Sequence, residues 1–229
     1  MPSDFPRRPQ LLKGALAVYE DQTPGTQPTL ILFQYNPSQI RRTLTRRTVP
    51  AEPGSSGGAR EDVLRVPGPP VETVTLGVVL DAADQLEHPD SHQAVRDHGL
   101  HPVLATLEMM LYPPTLRLQE IEGQLDQGEV QLSPQDLPLV LLVWGESRVV
   151  PVMLTNFSVT EEAFDQRLNP IRLRLELGLR VLTYVEFTES SLGRDAFVSY
   201  QRQKESLAQQ HQPGSGQERV SRLLPQQGS

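Results

Sequence analysis

The chain has no cysteine among its 229 residues, which excludes disulfides and thiolate metal sites and favours the cytosol as its compartment. It also lacks a long apolar run, since the longest, near Leu137 to Trp144, is too short for a transmembrane helix. The first ten residues contain no apolar core of a secretory signal. Basic residues are outnumbered, and the net charge of -7 argues against nucleic acid as the main partner. We therefore expect a cytoplasmic protein that neither binds nucleic acid nor inserts into a membrane.

Apolar residues make up 37% of the chain, and the deficit is concentrated in segments rich in Pro, Gly, Ser, Gln and charge. The remaining sequence is long enough for one core. These shifts in composition predict a flexible N-terminus at 1–10, a β domain at 11–188 with a mobile loop at 50–70, a C-terminal helix at 189–209 and a disordered tail at 210–229.

Alternating and β-branched segments predict about seven strands. They are Leu12–Glu20, Thr29–Tyr35, Ile40–Val49, Val71–Leu80, Pro138–Gly145, Val149–Thr160 and a long strand that begins at Ile171. Apolar residues repeat at helical spacing from Val103 to Leu111, and weaker helical patterns cover Thr115–Leu125 and Leu192–Ala208. The segment Asp84–Asp97 is polar and predicted to be irregular. Because strands and helices do not alternate, the order favours a mainly β (β-rich α+β) fold, with an antiparallel, barrel-like sheet and a flanking helix.

The strand that begins at Ile171 has the clearest pattern in the sequence. Every odd position through Phe187 is apolar or Thr, whereas Arg172, Arg174 and Arg180 occupy the other face. Seventeen residues exceed the usual strand length. We expect either a bend, most simply a bulge at Gly178, or two abutting strands. In the preceding strand, Met153, Phe157 and Val159 are predicted to share one side.

Residue patterns typical of catalysis or metal binding are weak. His88 and His92 are four residues apart, but Pro89 argues against a helix that would place them on one face, and a solvated loop is the better interpretation. Ser147 lies outside any nucleophile-elbow pattern. Glu161, Glu162 and Asp165 could do acid–base work, but a solvated turn explains them at least as well. We expect no catalytic, cofactor-binding or metal-binding residues, no cofactor, and a protein that is not an enzyme.

A run of arginines, Arg41, Arg42, Arg46 and Arg47, stands out in an acidic protein. One interpretation is an electrostatic contact with another subunit or an acidic partner. The other is a solvated face, or protection of an exposed edge strand. The only tryptophan, Trp144, is interpreted as a packing residue.

Three short patterns occur in order over residues 12–188. They are Phe33-x-Tyr35-Asn36-Pro37, Val143-Trp144-Gly145 followed by Asn156-Phe157-Ser158-Val159, and Phe164-Asp165 through Leu168-Asn169-Pro170-Ile171-Arg172-Leu173. Together they resemble motifs of the tube and baseplate tube-adaptor proteins of contractile (phage-tail-like) injection systems. Asn169 stands where that family commonly has Gly, and we expect it to keep the turn because Asn tolerates left-handed backbone.

This resemblance implies two packed antiparallel sheets with a helix at their side. It also implies hexameric rings in which hairpins of neighbouring subunits line a lumen. The chain looks most like the tube-initiating adaptor member, because the repeating inner-tube subunit is typically shorter. After Gln209, however, it has only a short polar segment instead of the LysM module that the adaptor often carries.

The first functional hypothesis is therefore a bacterial structural protein that forms the adaptor ring between the spike hub or baseplate and the inner tube. Its expected partners are further copies of itself, the spike or hub protein, the inner-tube protein and baseplate wedge proteins. The protein would be assembled in the cytoplasm into an injection particle and could be released with it. The alternatives are the repeating inner-tube subunit and a small enzyme whose site is not visible in the sequence. Under the structural hypotheses, Arg172, Arg174, Arg180, Arg41, Arg42, Arg46 and Arg47 are candidate subunit-interface or lumen residues.

Overall fold

The computed structural model describes residues 12–20, 25–47, 67–112, 114–115 and 137–212. The strands within these ranges are β1 (Ala15–Tyr19), β2 (Thr29–Leu32), β3 (Ile40–Thr45), β4 (Val71–Asp81), β5 (Leu139–Val143), β6 (Val149–Phe164) and β7 (Pro170–Val181). The helices are α1 (Ala83–Leu86), α2 (Gln93–His98), α3 (His101–Glu108) and α4 (Leu192–Gln209), with a 3-10 turn at Tyr184–Glu186. The predicted N-terminal segment 1–10, most of the predicted loop 50–70, most of the weak helix 115–125 and most of the tail 210–229 lie outside the described residues.

The prediction of a mainly β fold is confirmed, but the described strands form one sheet and not the two packed sheets that the family resemblance implies. All seven described strands form one antiparallel sheet in the order β2-β1-β5-β6-β7-β4-β3. The sheet curls, because the backbone N–H of Asp81, at the end of β4, donates to Oε1 of Gln34, just beyond β2, at 2.6 Å. In a flat sheet these two strands would lie about 24 Å apart. The described strands do not close the barrel, since β2 and β3 pair on one side only.

The concave face of the sheet holds the core, as the alternation in β4 and β7 predicts. In β7, Leu173, Leu175, Leu177 and Leu179 are exposed by 1% or less. They lie beside the buried residues of β4, which are Val74, Leu76, Val78 and Leu80. Helix α3 covers this face with the buried side chains of Leu104 and Leu107. Burying these leucines is the main favourable contribution to folding, at about 1.5–3 kcal/mol for each side chain.

The long strand is shorter than its apolar alternation predicts, because β7 ends at Val181 and the chain turns at Tyr184–Glu186. The predicted bulge lies opposite Gly178, in β6: Leu154 pairs with Leu179 and Asn156 with Gly178, so Thr155 is the extra residue. A Cβ atom at position 178 would lie 2.9 Å from that of Asn156, which explains the glycine.

The bulge moves side chains of β6 from one face to the other. Before it, Val152 and Leu154 face the core; after it, Phe157 and Val159 do. Met153, which pairs with Arg180, therefore lies on the opposite face from Phe157 and Val159, and the prediction that the three share one side is wrong. The physical reason is that one inserted residue shifts the alternation of a strand by one position.

The two halves of the sheet are covered differently. Strands β1 and β5 are buried on both faces, because Phe187 and Ala196 pack on the convex side against Ala17, Leu139 and Leu141. Helix α4 lies where Leu192–Ala208 was predicted to be helical, and its Phe197 and Tyr200 join the main core. The segment predicted to be irregular at 84–97 instead forms parts of the short helices α1 and α2. None of the helices in the described ranges is long and apolar enough to cross a membrane.

Candidate assembly surfaces

The convex side of β3, β4, β6 and β7 is here called the outer face, and four of the seven candidate arginines share it. The pairing register places Arg172, Arg174 and Arg180 of β7 on this face, opposite the buried leucines. Arg41 of β3 lies on the same face, because it pairs with Thr75, which in turn pairs with Gly178. The sequence pattern could predict the row on β7, but only the register adds Arg41 to it.

Arg172 and Arg174 share one carboxylate, that of Glu162 in β6. Their Nε atoms lie 3.1 Å and 2.8 Å from the two Glu162 oxygens, and Arg172 is also 3.6 Å from Asp81. The arginine side chains nevertheless remain 47% and 61% exposed. Each exposed ion pair is expected to contribute under about 1 kcal/mol to stability. These arginines are therefore held in position while still open to a partner.

Arg180 belongs to a different arrangement at the other end of β7. It forms an ion pair with Glu186, whose second oxygen accepts hydrogen bonds from the backbone N–H and hydroxyl of Thr183 at 2.8 and 3.1 Å. Burial acts to raise the pKa of Glu186, but the hydrogen bonds from Thr183 and Arg180 outweigh it and lower that pKa. This cap fixes the turn that redirects the chain from β7 toward α4.

The β6–β7 hairpin tip runs from Phe164 to Pro170, and Asp165 holds it closed. The carboxylate of Asp165 accepts from the N–H groups of Arg167 and Asn169 and from the Asn169 side chain, at 2.7, 2.8 and 2.9 Å. These hydrogen bonds, first that of the Asn169 side chain, lower the pKa of Asp165. Leu168, with φ 64°, occupies the left-handed region, so the prediction that Asn169 does so is wrong. Asn169 is needed instead as a hydrogen-bond donor.

The tip is tied to the junction of α2 and α3. Asn169 Nδ2 donates to the carbonyl of Asp97 at 3.3 Å, and the N–H of Leu100 donates to the carbonyl of Pro170 at 2.8 Å. A Cβ atom at Gly99 would overlap that carbonyl and lie 2.9 Å from Asn169 Cβ, so this close approach requires glycine. Asn169 and Pro170 thus position the tip relative to the helices.

The first two sequence motifs meet in one cluster at the other side of the sheet. Phe33 is 1% exposed, and its ring centroid lies 6.3 Å from that of Trp144. A Cβ atom at Gly14 would overlap the indole and lie 2.8 Å from Phe33. Asn36 fixes this contact, because its Oδ1 accepts from the N–H of Gly14 at 2.8 Å and its Nδ2 donates to Leu12. Trp144 is a packing residue, as interpreted from the sequence.

Two further motif residues adjoin this cluster. Pro37 is half-buried in the connection from β2 to β3. Gly145, with φ 75°, provides the left-handed residue in the turn between β5 and β6. Phe164, from the third motif, is 48% exposed at the hairpin tip. The motif residues therefore divide into a structural cluster around Trp144 and an exposed hairpin tip.

The arginine run in and after β3 does not act as one patch. Arg41 is exposed on the outer face, whereas Arg42 points to the core side and donates to Glu72 Oε1 at 2.8 and 2.6 Å. Burial acts to lower the pKa of Arg42, but the hydrogen bond to Glu72 and the charge of Glu72 outweigh the effect of burial and raise that pKa. Arg46 and Arg47 follow the end of the strand, exposed and half-buried respectively.

The partner of Arg42 is a site that the sequence interpretation missed. Glu72 is 5% exposed, and its second oxygen lies 3.4 Å from Lys204 Nζ. The Tyr200 hydroxyl is 3.3 Å from Glu72 Oε1, and burial, followed by Glu72, raises the pKa of Tyr200. The sequence contains a signal for this site, because Glu72 occupies a core position in the alternation that Val74 to Leu80 continue. A carboxylate at a core position indicates a buried ionic partner. This ionic cluster joins β3, β4 and α4.

A cavity of about 590 Å³ adjoins the Glu72 cluster between α4 and the end of β7. Its walls include Pro69, Pro70, Val181, Tyr184, Phe197 and Val198.

No group of three or more His, Asp or Glu side chains suited to a metal ion occurs among the residues whose placement is described. His88 and His92 lie at the ends of the link between α1 and α2.

None of the protein-family models scanned matches the sequence, and a search of curated proteins finds no match.

Proposed function

We propose that this protein is a structural subunit of a contractile injection system and forms the adaptor ring between the spike hub and the inner tube. The observation that carries the proposal is the outer face, which displays Arg41, Arg172, Arg174 and Arg180 beside a sheet edge that no described strand pairs. Such a surface on a curled, open sheet suits contact between subunits better than it suits a buried ligand.

The two unpaired edges support assembly. Among the described strands, β2 and β3 have a partner on one side only, so each presents free backbone donors and acceptors. The β2 edge also exposes Leu30 and Leu32 by 58% and 56%. Two different edges of one subunit favour a head-to-tail contact, which produces a ring if the rotation between subunits closes.

The β6–β7 hairpin supports the same function. β6 has 16 residues and would span about 50 Å if straight. Beyond the bulge its outer face bears the exposed polar residues Ser158 and Thr160 next to Glu176 and Arg174. Neighbouring hairpins of this kind can line a water-filled lumen, which is the role that the family resemblance implies.

The repeating inner-tube subunit is the second candidate. The family resemblance favours the adaptor because the chain continues beyond the sheet into α4. Copy number separates the two candidates. Quantitative mass spectrometry of purified particles should give one ring of this chain per particle, and a copy number equal to that of the sheath protein would reject the adaptor role.

Ring formation is tested on the full chain in isolation and mixed with the hub protein of the same particle. Native mass spectrometry should detect a species of six times 25.6 kDa, and electron microscopy should show six-fold rings. A chain that stays monomeric under both conditions would contradict the proposed function.

A further inference from the structure

Leu168 at the hairpin tip combines exposure with backbone strain. It is 77% exposed, more than any other large apolar side chain in the described residues, and its φ of 64° is unfavourable for leucine. The hydrogen bonds of Asp165 keep the turn in this form. Strain that the fold maintains at an exposed apolar residue points to a recognition role.

The cavity beside α4 lies at the opposite end of β7 from Leu168. Val181, the last residue of β7, lines the cavity, whereas the hairpin tip precedes the first, Pro170. The two features are therefore about 35 Å apart within one subunit. Gln201 and Glu205 are exposed at the cavity wall, so the cavity opens to the surface.

The charges at these two ends are complementary. Near the cavity lie two carboxylates, Glu72 and Glu205, and four cations, which are Arg42, Arg47, Arg202 and Lys204. At the tip end, the segment 83–90 contains exposed Asp84, Glu87 and Asp90 and no Lys or Arg, so its negative charge outweighs the exposed Arg167 within the tip 164–170. This segment follows β4 directly and is joined to the start of β7 by the hydrogen bond from the Ala82 N–H to the Ile171 carbonyl.

We infer that the hairpin tip of one subunit inserts Leu168 into the α4 cavity of a second copy of this chain. The apolar side chain of Leu168 meets a cavity whose walls are mainly apolar with charged residues at the side, and the acidic end of one copy meets the basic end of the next. The contact is head-to-tail because its two surfaces differ, so it closes into a ring or continues as a stack. This inference rests on the proposed function as a self-assembling subunit and adds one contact, between the hairpin tip and the cavity, to the outer face and the sheet edges.

Paired cysteines test this contact directly, because the natural chain has no cysteine. The double variant Leu168→Cys with Gln201→Cys cannot form a disulfide within one subunit, since a bridge needs Cα atoms within about 7 Å. Under mild oxidation we expect a ladder of covalent multimers on a non-reducing gel. A ladder that ends at six indicates a closed ring, and a longer ladder indicates a stack; either supports the contact.

The control variant pairs Leu168→Cys with Glu108→Cys, an exposed position on α3 that lies neither on the cavity wall nor on the outer face. It should give no ladder, and a ladder of equal yield in the control would overturn the inference. Absence of a ladder in a folded double variant would also overturn it. The proposed function would survive that result if the wild-type chain still forms six-fold rings.

The variant Leu168→Gly distinguishes a role of Leu168 in self-association from a role in folding stability. Removing the left-handed leucine should raise the Tm by about 2–4 °C, whereas the loss of the knob should weaken self-association about tenfold or more in sedimentation equilibrium. Gln166→Gly, in the same turn, is the matched control and should leave association unchanged. Undiminished association of Leu168→Gly would contradict the inference.

Discussion

The two halves of this sheet differ in what covers their convex side. In β1 and β5, buried residues occur on both faces, because the segment after β7 returns with Phe187 and Ala196 and covers Ala17, Leu139 and Leu141. In β4 and β7, buried and exposed residues alternate, and the convex side remains open. The chain thus covers one half with its own C-terminal segment, whereas the described residues leave the convex side of the other half exposed.

This difference in covering explains why strands of the same sheet carry apolar residues on the convex side of one half and polar residues on the convex side of the other. A covered convex side must be apolar, as at Ala17, Leu139 and Leu141, since an unpaired buried polar group costs free energy. An open convex side accepts threonine, glutamate and arginine, as at Thr75 and Arg174. The following substitutions test this distinction.

The largest effect is expected on the concave core, which both halves share. Leu175→Asp places a charge at a position that is 1% exposed and should cost more than about 4 kcal/mol, enough to abolish folding. Circular dichroism during thermal unfolding should show no cooperative transition. Ile171→Asp, at a half-buried position, should have a smaller effect. A cooperatively folding Leu175→Asp variant would refute the assigned face of β7.

A matched pair of lysines tests the two convex sides directly. Ala17→Lys enters the covered half, where Ala17 is 4% exposed, and should destabilise by about 2–4 kcal/mol through overpacking and charge burial. Thr75→Lys enters the open half and should change stability by less than about 0.5 kcal/mol. Urea unfolding measures both, and equal costs would mean that the halves are covered alike.

Charge reversal on the open half should affect assembly more than stability. Arg172→Glu with Arg174→Glu removes both partners of Glu162 and should lower the free energy of unfolding by about 1 kcal/mol or less. The monomer should fold, but ring assembly should be impaired. Gln209→Glu with Gln210→Glu, at the exposed end of α4 and outside the outer face, serves as a control for added negative charge. Normal assembly of the arginine variant would mean that these arginines are only solvated.

The smallest effect is expected at Glu186, where the chain leaves the open half toward α4. Its folded-state pKa is lowered below the ordinary 4.5, so its contribution is present above pH 4.5 and is lost as the pH falls through the folded-state value. Glu186→Gln should cost about 0.5 kcal/mol at pH 7 and nothing in more acidic solution. Chemical unfolding at both pH values measures the difference, and a cost independent of pH would exclude an ionic contribution.

The parts of the fold that could be predicted from the sequence are those in which apolar residues alternate regularly along a strand. The leucines of β7 and the alternation of β4 identified the core, because burial of one sheet face requires apolar residues at every second position. Gly178 marked the position of the bulge. The sequence could not show that the extra residue, Thr155, is in the partner strand, because alternation within one strand does not report pairing.

Other errors arose where a side chain contacts a distant part of the chain. Leu168 takes the left-handed position expected of Asn169, because Asn169 is held by Asp165 and Asp97. Apolar alternation continues through Phe187 although β7 ends at Val181, since Phe187 packs in a second cluster rather than in the strand. Arg42 was grouped with three neighbouring arginines, but its ion pair with Glu72 separates it from them.

The sequence by itself determined that this is a mainly β protein, which residues of β4 and β7 form its core, and that an arginine row lies opposite the leucines. These properties follow from local periodicity. Only the tertiary structure decided that one curled sheet forms instead of two packed sheets, that α4 is joined to Glu72, and that a strained leucine and an apolar cavity lie at opposite ends of one strand. Those properties depend on contacts between residues far apart in the chain, such as Gln34 with Asp81, which no local pattern encodes.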